Sequence, residues 1–103
     1  MKLYLVVRAD LSIAQQAIQA AHAMRQFGFE HPEIDRQWFE QSNTLALLTA
    51  PDMVAVGVIR DKALSRGIPV AAFHEPDRGN ELTAIAIGPE GRKLTQKLPL
   101  ALQ

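Results

Sequence analysis

The chain has 103 residues, no net charge and no cysteine, and 48% of its residues are hydrophobic. This length suits one domain spanning residues 1–103, and the hydrophobic content supports one core rather than a disordered chain. The lack of cysteine excludes disulfides, thiolate catalysis and sulfur-ligated zinc. Because phosphate contacts usually require a basic excess, any contact with RNA is restricted to a local patch.

The first half of the chain predicts a strand and two helices. Residues 3–7 form a short apolar run typical of a buried strand. Ser12 is an expected N-cap, and Gln15 completes a capping-box pattern for a helix from Ile13 to about Phe27, where Gly28 ends it. A second, short helix is expected from Pro32 or Glu33 to Gln41.

The second half predicts three strands and a third helix. Strands are expected at residues 44–49, 69–73 and 82–87, and the turn-rich stretch HEPDRGNE should join the last two as an antiparallel hairpin. Pro51-Asp52 opens the third helix and Gly67 ends it, with Ala55, Val58 and Ile59 on one face. Its centre, VAVGVI, is also compatible with a strand. A turn of helix is expected in the basic tail after Gly88-Pro89.

The order of these elements predicts an α/β fold. Helical crossovers between the first three strands imply that those strands are parallel, and the hairpin makes the fourth antiparallel. We therefore expect a four-stranded mixed sheet with helices on both faces. No apolar run is long enough to span a membrane, and the N-terminus is charged too early for a signal peptide, so a cytoplasmic protein without membrane contact is expected.

The first helix carries a narrow polar stripe. At about 100° per residue, Gln15, Gln19, His22 and Gln26 fall close together on the helical wheel. The remaining circumference is apolar, which predicts a largely buried helix. The stripe is either the solvent face of that helix or one wall of a site, and a solvent face would normally carry Lys and Glu.

Polar residues also cluster at one predicted edge of the sheet. In parallel α/β sheets, sites form at the carboxyl ends of the strands. The chain places at that edge a set that could position water on an ester carbonyl: Arg8, Asp10, Thr49, His74, Glu75, Asp77, Glu81 and Thr83.

Four sequence segments together resemble the type 2 peptidyl-tRNA hydrolases. They are LYLVVRADL, AIQAAHA (residues 17–23), RGIPV and LTAIAIGP (residues 82–89), and the match runs in order over nearly the whole chain. The resemblance implies a three-layer α/β/α domain that hydrolyses the ester between a peptide and tRNA, which recycles tRNA in translation. It implies no metal or organic cofactor.

The resemblance also assigns residues. Gln19, His22 and Thr83 match catalytic positions of the family, and Glu75 falls about where the family has an essential aspartate. The family has a glycine- and lysine-rich segment before the helix motif, and this chain has a shorter segment there, SIAQQ (residues 12–16). The family's active-site lysine aligns with Gln15 of that segment. The expected substrate-binding residues are Arg8, Asp10, Gln15, His74, Asp77 and Arg78.

Two hypotheses follow for the function. The first is an ester hydrolase that binds tRNA or peptidyl-tRNA weakly. The alternative is a non-catalytic member of the fold that binds RNA, a nucleotide or a protein partner in the same cleft. A neutral Gln15 cannot supply positive charge, which favours the alternative, whereas the retained Gln19, His22, Glu75 and Thr83 favour the enzyme. Both hypotheses are compatible with a homodimer.

Overall fold

The structure, a computed structural model of residues 1–103, is built around one central sheet. In chain order its elements are β1 (Lys2–Arg8), α1 (Ile13–Glu30), α2 (Pro32–Gln41), β2 (Thr44–Ala50), α3 (Met53–Ser65), β3 (Val70–Glu75), β4 (Glu81–Ile87) and α4 (Arg92–Thr95). Short 3₁₀ turns at Pro76–Arg78 and Pro89–Gly91 precede β4 and α4. None of the helices is both long and apolar enough to cross a membrane.

The sheet has the strand order β2-β1-β4-β3. β1 pairs in parallel with β2, and β4 pairs antiparallel with both β1 and β3. The first three strands therefore share one direction and the fourth runs back, which confirms the predicted mixed sheet. The carboxyl ends of β1 and β3 lie beside the start of β4, and this edge carries most of the predicted site residues.

The side chains of β1 alternate between two cores. Leu5 and Val7 join Phe27 and Trp38 in a cluster beneath α1 and α2. Val6 points the other way and packs with Val56 of α3 and with Leu94 of α4. Each face of the sheet is thus covered by helices, as predicted, in a three-layer arrangement.

The first helix begins where predicted but ends later. Ser12 Oγ accepts a hydrogen bond from the Gln15 backbone N–H, so the N-cap is confirmed. Gly28 does not end α1, which continues to Glu30. A Cβ at Gly28 would lie 3.1 Å from a carboxylate oxygen of Asp35. Glycine at this position therefore lets the Asp35 side chain of α2 approach closely, and it does not act as a helix stop.

The prediction that α1 is largely buried was wrong. Only one side of it faces the sheet, and the buried residues on that side are Gln16, Gln19, Ala20, Ala23 and Phe27. Ile13 and Ile18 are 55% and 46% exposed. The apolar pattern identified residues that tolerate burial, but no second layer covers their side of the helix.

The segment from Met53 to Ser65 is a helix, so the alternative of a strand at its centre is excluded. Asp52 caps it by accepting a hydrogen bond from the Ala55 backbone N–H at 2.9 Å. Of the three residues expected to share a face, Ala55 and Ile59 pack against the core beside Val56 and Ala63, whereas Val58 is 45% exposed. A helix that is apolar on several sides gives no clear phase to its sequence pattern.

The C-terminal segment covers the free edge of β2. Thr49 N–H donates to the Pro99 carbonyl, and Ala101 N–H donates to the Leu47 carbonyl. Gln16, buried in α1, donates from Nε2 to the Leu11 carbonyl and accepts at Oε1 from the Leu102 N–H. This one amide therefore ties the start of α1 to the end of the chain.

We expect Gln16→Ala to lower the free energy of unfolding by about 1–3 kcal/mol, because buried backbone groups lose their partner. The matched control is Gln37→Ala on the exposed side of α2, which should change that energy by no more than about 0.5 kcal/mol. Urea denaturation followed by circular dichroism measures both. Equal effects of the two substitutions would contradict the role given to Gln16.

Candidate functional site

One buried side chain organises the edge of the sheet where β1 and β3 end. Gln19 on α1 is fully buried, and its Oε1 accepts a hydrogen bond from Thr83 Oγ1 of β4 at 2.6 Å. Its Nε2 donates to Glu75 Oε1 at the end of β3 at 2.9 Å and to Gln15 Oε1 at 3.2 Å. The amide has two N–H donors, so both are used inside this cluster.

The chemistry of the partners determines which way the Gln19 amide points. An ionised carboxylate only accepts hydrogen bonds, so the amide nitrogen must face Glu75. The amide oxygen then faces Thr83, whose single O–H donates to it. Thr83 is fully buried, and its hydroxyl has no second hydrogen to offer. Gln19 and Thr83 therefore lie behind Glu75 and hold it in place.

Glu75 is the half-exposed carboxylate of this cluster. The hydrogen bond from Gln19 has the largest effect and lowers the pKa of Glu75, whereas burial opposes it less strongly. The Asp77 backbone N–H and the nearby His22 and Arg78 each lower this pKa by a smaller amount. Asp77 N–H donates to Oε2 at 3.4 Å across the turn that follows β3. Glu75 is consequently a carboxylate at neutral pH, with Oε1 held by Gln19 and Oε2 in a longer hydrogen bond with the Asp77 N–H.

His22 lies on the same face of the sheet as Glu75. Its ring stacks on Phe73, with centroids 4.5 Å apart and planes 10° from parallel. Phe73 and Glu75 are two residues apart on β3, so both side chains point towards α1. His22 is exposed. Sequence reasoning missed the contribution of Phe73, although the period of two along β3 would have indicated it.

Arg8 was predicted to bind substrate, but its guanidinium forms ion pairs with two carboxylates of the protein. Arg8 is buried and pairs with Asp10 through Nε at 2.9 Å and Nη2 at 3.0 Å. Its Nη1 donates to Glu81 at 2.6 Å. Hydrogen bonding to Asp10 raises the pKa of Arg8, and Arg8 in turn lowers the pKa of both carboxyls. Because Arg8 and Asp10 pair with each other, neither presents a free charge to a substrate.

Two other residues lie away from the cluster. His74 is adjacent to Glu75 on β3, so its side chain points to the opposite face of the sheet. There it lines an open groove of about 580 Å³ beside α3, with Met53 and Asn80 among its neighbours. Thr49 is buried beneath the C-terminal segment, and its hydroxyl faces the Pro99 carbonyl. The expected convergence of His74 and Thr49 with Glu75 was therefore wrong.

The charge balance at this edge is acidic. Asp77 and Arg78 occupy the exposed turn after Glu75, and Arg78 Nε lies 3.7 Å from Glu81 Oε1. Two cations, Arg8 and Arg78, thus face four carboxylates: Asp10, Glu75, Asp77 and Glu81. No three side chains among His, Asp and Glu come together in a way that could hold a metal ion.

The arrangement can therefore present a fixed carboxylate and an exposed imidazole to a ligand that enters from the sheet edge. Gln15 adds a further donor, because its Oε1 is held by Gln19 while its Nε2 has no partner within the chain. These groups match the residue types needed to orient water and to contact a carbonyl oxygen.

Comparison with known proteins places the chain in a family. A solved structure of a protein of unknown function from Agrobacterium tumefaciens shares the fold, with a TM-score of 0.67, 17% identity and 96% of each chain covered. No curated protein sequence matches the chain. The family model described as "Peptidyl-tRNA hydrolase PTH2" matches residues 1–103, the whole chain. This protein therefore belongs to the peptidyl-tRNA hydrolase PTH2 family.

Proposed function

We propose that this protein hydrolyses the ester between a peptide and tRNA, or a closely related acyl ester. The observation that supports this most is the chain of hydrogen bonds from Thr83 through Gln19 to Glu75. It holds an ionised carboxylate at an open edge beside His22. Membership of the peptidyl-tRNA hydrolase family supports the same class of reaction.

In the proposed reaction, water lies between Glu75 and His22. Imidazole is the usual side-chain base near neutral pH, whereas a carboxylate with a lowered pKa is a weak one. Glu75 therefore orients the water, and His22 takes one proton from it as the water oxygen attacks the carbonyl carbon. The ester C–O bond then breaks, and the proton returns from His22 to the departing ribose oxygen.

Gln15 stands where the family has its lysine, and its free Nε2 can donate to the carbonyl oxygen as negative charge develops there. Gln19 and Thr83 act as positioning residues, since their N–H and O–H groups are already used. A neutral amide stabilises an oxyanion less than a cation does. The proposed rate is accordingly modest.

Turnover of peptidyl-tRNA by the wild type, Glu75→Gln and His22→Ala tests this mechanism. Both substitutions should lower kcat/KM by about a hundredfold, the usual contribution of a positioned acid or base. His74→Ala is the matched control, because His74 is also exposed but lies on the other face of the sheet; it should retain activity. Full activity of folded Glu75→Gln protein would exclude the proposed role of Glu75.

Restoring a cation tests the role of position 15. We expect Gln15→Lys to raise hydrolysis about tenfold, because an ammonium near the oxyanion stabilises it better than an amide but the shortened loop leaves it imperfectly placed. The substitution removes only the 3.2 Å acceptor of Gln19, and lysine is a good helix former, so the protein should fold.

The gain in Gln15→Lys should disappear when Glu75→Ala is added, since the cation needs the oriented water. Single-turnover rates on peptidyl-tRNA measure both variants. If Gln15→Lys brings no gain and the wild type shows no rate above that of the solvent, the enzyme hypothesis fails.

The acidic edge favours a second candidate, a non-catalytic member of the family that binds a ligand in the same cleft. Two cations against four carboxylates, with Arg8 held in ion pairs, give tRNA phosphates little to bind. A small ligand or a protein partner is then favoured over RNA. The two candidates can be distinguished with saturating peptidyl-tRNA, because only the enzyme would release the peptide from it.

Binding of tRNA should be weak and only mildly sensitive to salt. With Arg8 engaged, Arg78 and the tail residues Arg92, Lys93 and Lys97 are the cations that we expect to contact phosphates. Four such contacts give a logarithmic salt slope of about −3. Fluorescence titration of labelled tRNA at several salt concentrations measures it. Absence of binding at low salt would favour the small-ligand or protein-partner candidate.

A further inference from the structure

An uncharged strip of α1 lies in the open beside His22. No Asp, Glu, Lys or Arg occurs between residues 11 and 24. On the outer side of this stretch Ala14, Ile18 and Ala21 are exposed, and Ile18 is one helical turn from His22. We call these three residues the α1 strip. A solvent face of a helix normally carries charge, so an exposed apolar strip touching a site favours a neutral ligand.

The other side of the site carries a cation. Arg78 lies in the turn that directly follows Glu75, and it is exposed. Its Nε is 3.7 Å from Glu81 Oε1, and Glu81 is itself held by Arg8 at 2.6 Å. The carboxylate can therefore restrain one end of the Arg78 guanidinium while the remaining N–H groups stay free for an anion.

We propose that the substrate lies across the site in one direction, with its acyl side chain on the α1 strip and the phosphate of its terminal nucleotides on Arg78. This inference rests on the proposed function and deepens it. A peptidyl ester has a neutral acyl end and an anionic nucleotide end, joined at the carbonyl that His22 and Glu75 would face. The strip offers no charge to a phosphate, whereas the Arg78 turn offers a guanidinium to the anionic end of the substrate. The uncharged strip and the cation thus lie in the same order as the neutral acyl end and the anionic nucleotide end of the substrate.

The test uses esters that differ at one end only. N-acetyl-leucyl and N-acetyl-glycyl esters of the same 3′-terminal trinucleotide vary the acyl side chain. The trinucleotide and the adenosine ester, both with the leucyl group, vary the number of phosphates. For the wild type we expect kcat/KM to be about fivefold higher for leucyl than for glycyl, since a half-open apolar strip gives only part of the discrimination of a closed pocket.

Each substitution should affect one end alone. Ile18→Ser should reduce the leucyl preference to less than about twofold while the salt slope of kcat/KM stays unchanged, because contacts with phosphates remain. Ile18→Leu should keep the preference. Arg78→Gln should reduce the salt slope on the trinucleotide ester by about 1 and leave the leucyl preference intact.

Two variants serve as matched controls. Val54 on α3 is 71% exposed but lies on the opposite face of the sheet, so Val54→Ser should leave the leucyl preference unchanged. Arg25 is exposed on α1 one turn beyond His22, away from Glu75, so Arg25→Gln should leave the salt slope unchanged. If Arg25→Gln alters the slope and Arg78→Gln does not, the assigned direction is overturned.

Amide analogues separate this inference from the proposed function. An analogue with a 3′-amide in place of the ester binds without being cleaved, so its dissociation constant reports the same contacts. If the wild type cleaves no ester but the amide shows both dependences, the proposed hydrolysis fails and the binding direction stands. If Ile18→Ser leaves the leucyl preference unchanged, or instead converts a dimer to a monomer in sedimentation, the α1 strip does not bind the acyl group.

Discussion

A buried amide must have its hydrogen bonds satisfied, and in this protein that requirement links three elements of the fold. Gln19 on α1 is fully buried, so leaving any of its polar atoms without a partner would cost about 1–3 kcal/mol. Its partners come from the end of β3 and from β4, which are Glu75 and Thr83. The same hydrogen bonds therefore fix both the position of α1 on the sheet and the position of the Glu75 carboxylate. A shift of the helix along its axis would break both.

Much of the fold could be predicted because the chain is punctuated by residues with local effects. Ser12 and Asp52 cap helices through their own side chains, and the polar stretch after β3 forces a hairpin. The errors concern tertiary contacts. Gly28 looked like a helix stop because the approach of Asp35 is not visible in the sequence. The burial of α1 was overestimated because an apolar side chain does not reveal whether a neighbouring layer exists to cover it.

The site, too, could be predicted where local pattern determines it and not where tertiary contacts do. Helical phase placed Gln15, Gln19 and His22 on one side of α1, and the structure brings Glu75 to that side. His74 was grouped with Glu75 because the third strand was expected to end at Phe73. The strand continues to Glu75, so alternation along it separates the two side chains. The topology did place Arg8 and Glu81 at one edge of the sheet, but it could not show that they form an ion pair, because that depends on side-chain orientation.

The proposed hydrolysis makes different demands on Gln15 and on the groups that hold Glu75. A lysine at position 15 would sit close to Glu75 and supply positive charge to both carboxylate and oxyanion. Here the nearest donors to Glu75 are neutral amides, and hydrogen bonds from neutral amides hold a carboxylate less tightly than a cation does. The identity of residue 15 affects one acceptor of Gln19 but leaves its hydrogen bonds with Glu75 and Thr83, so the position of the carboxylate does not depend on a lysine there. In the proposed reaction an amide at position 15 stabilises developing negative charge less than a lysine would, so it should lower the rate of the chemical step more than the binding of a neutral acyl group.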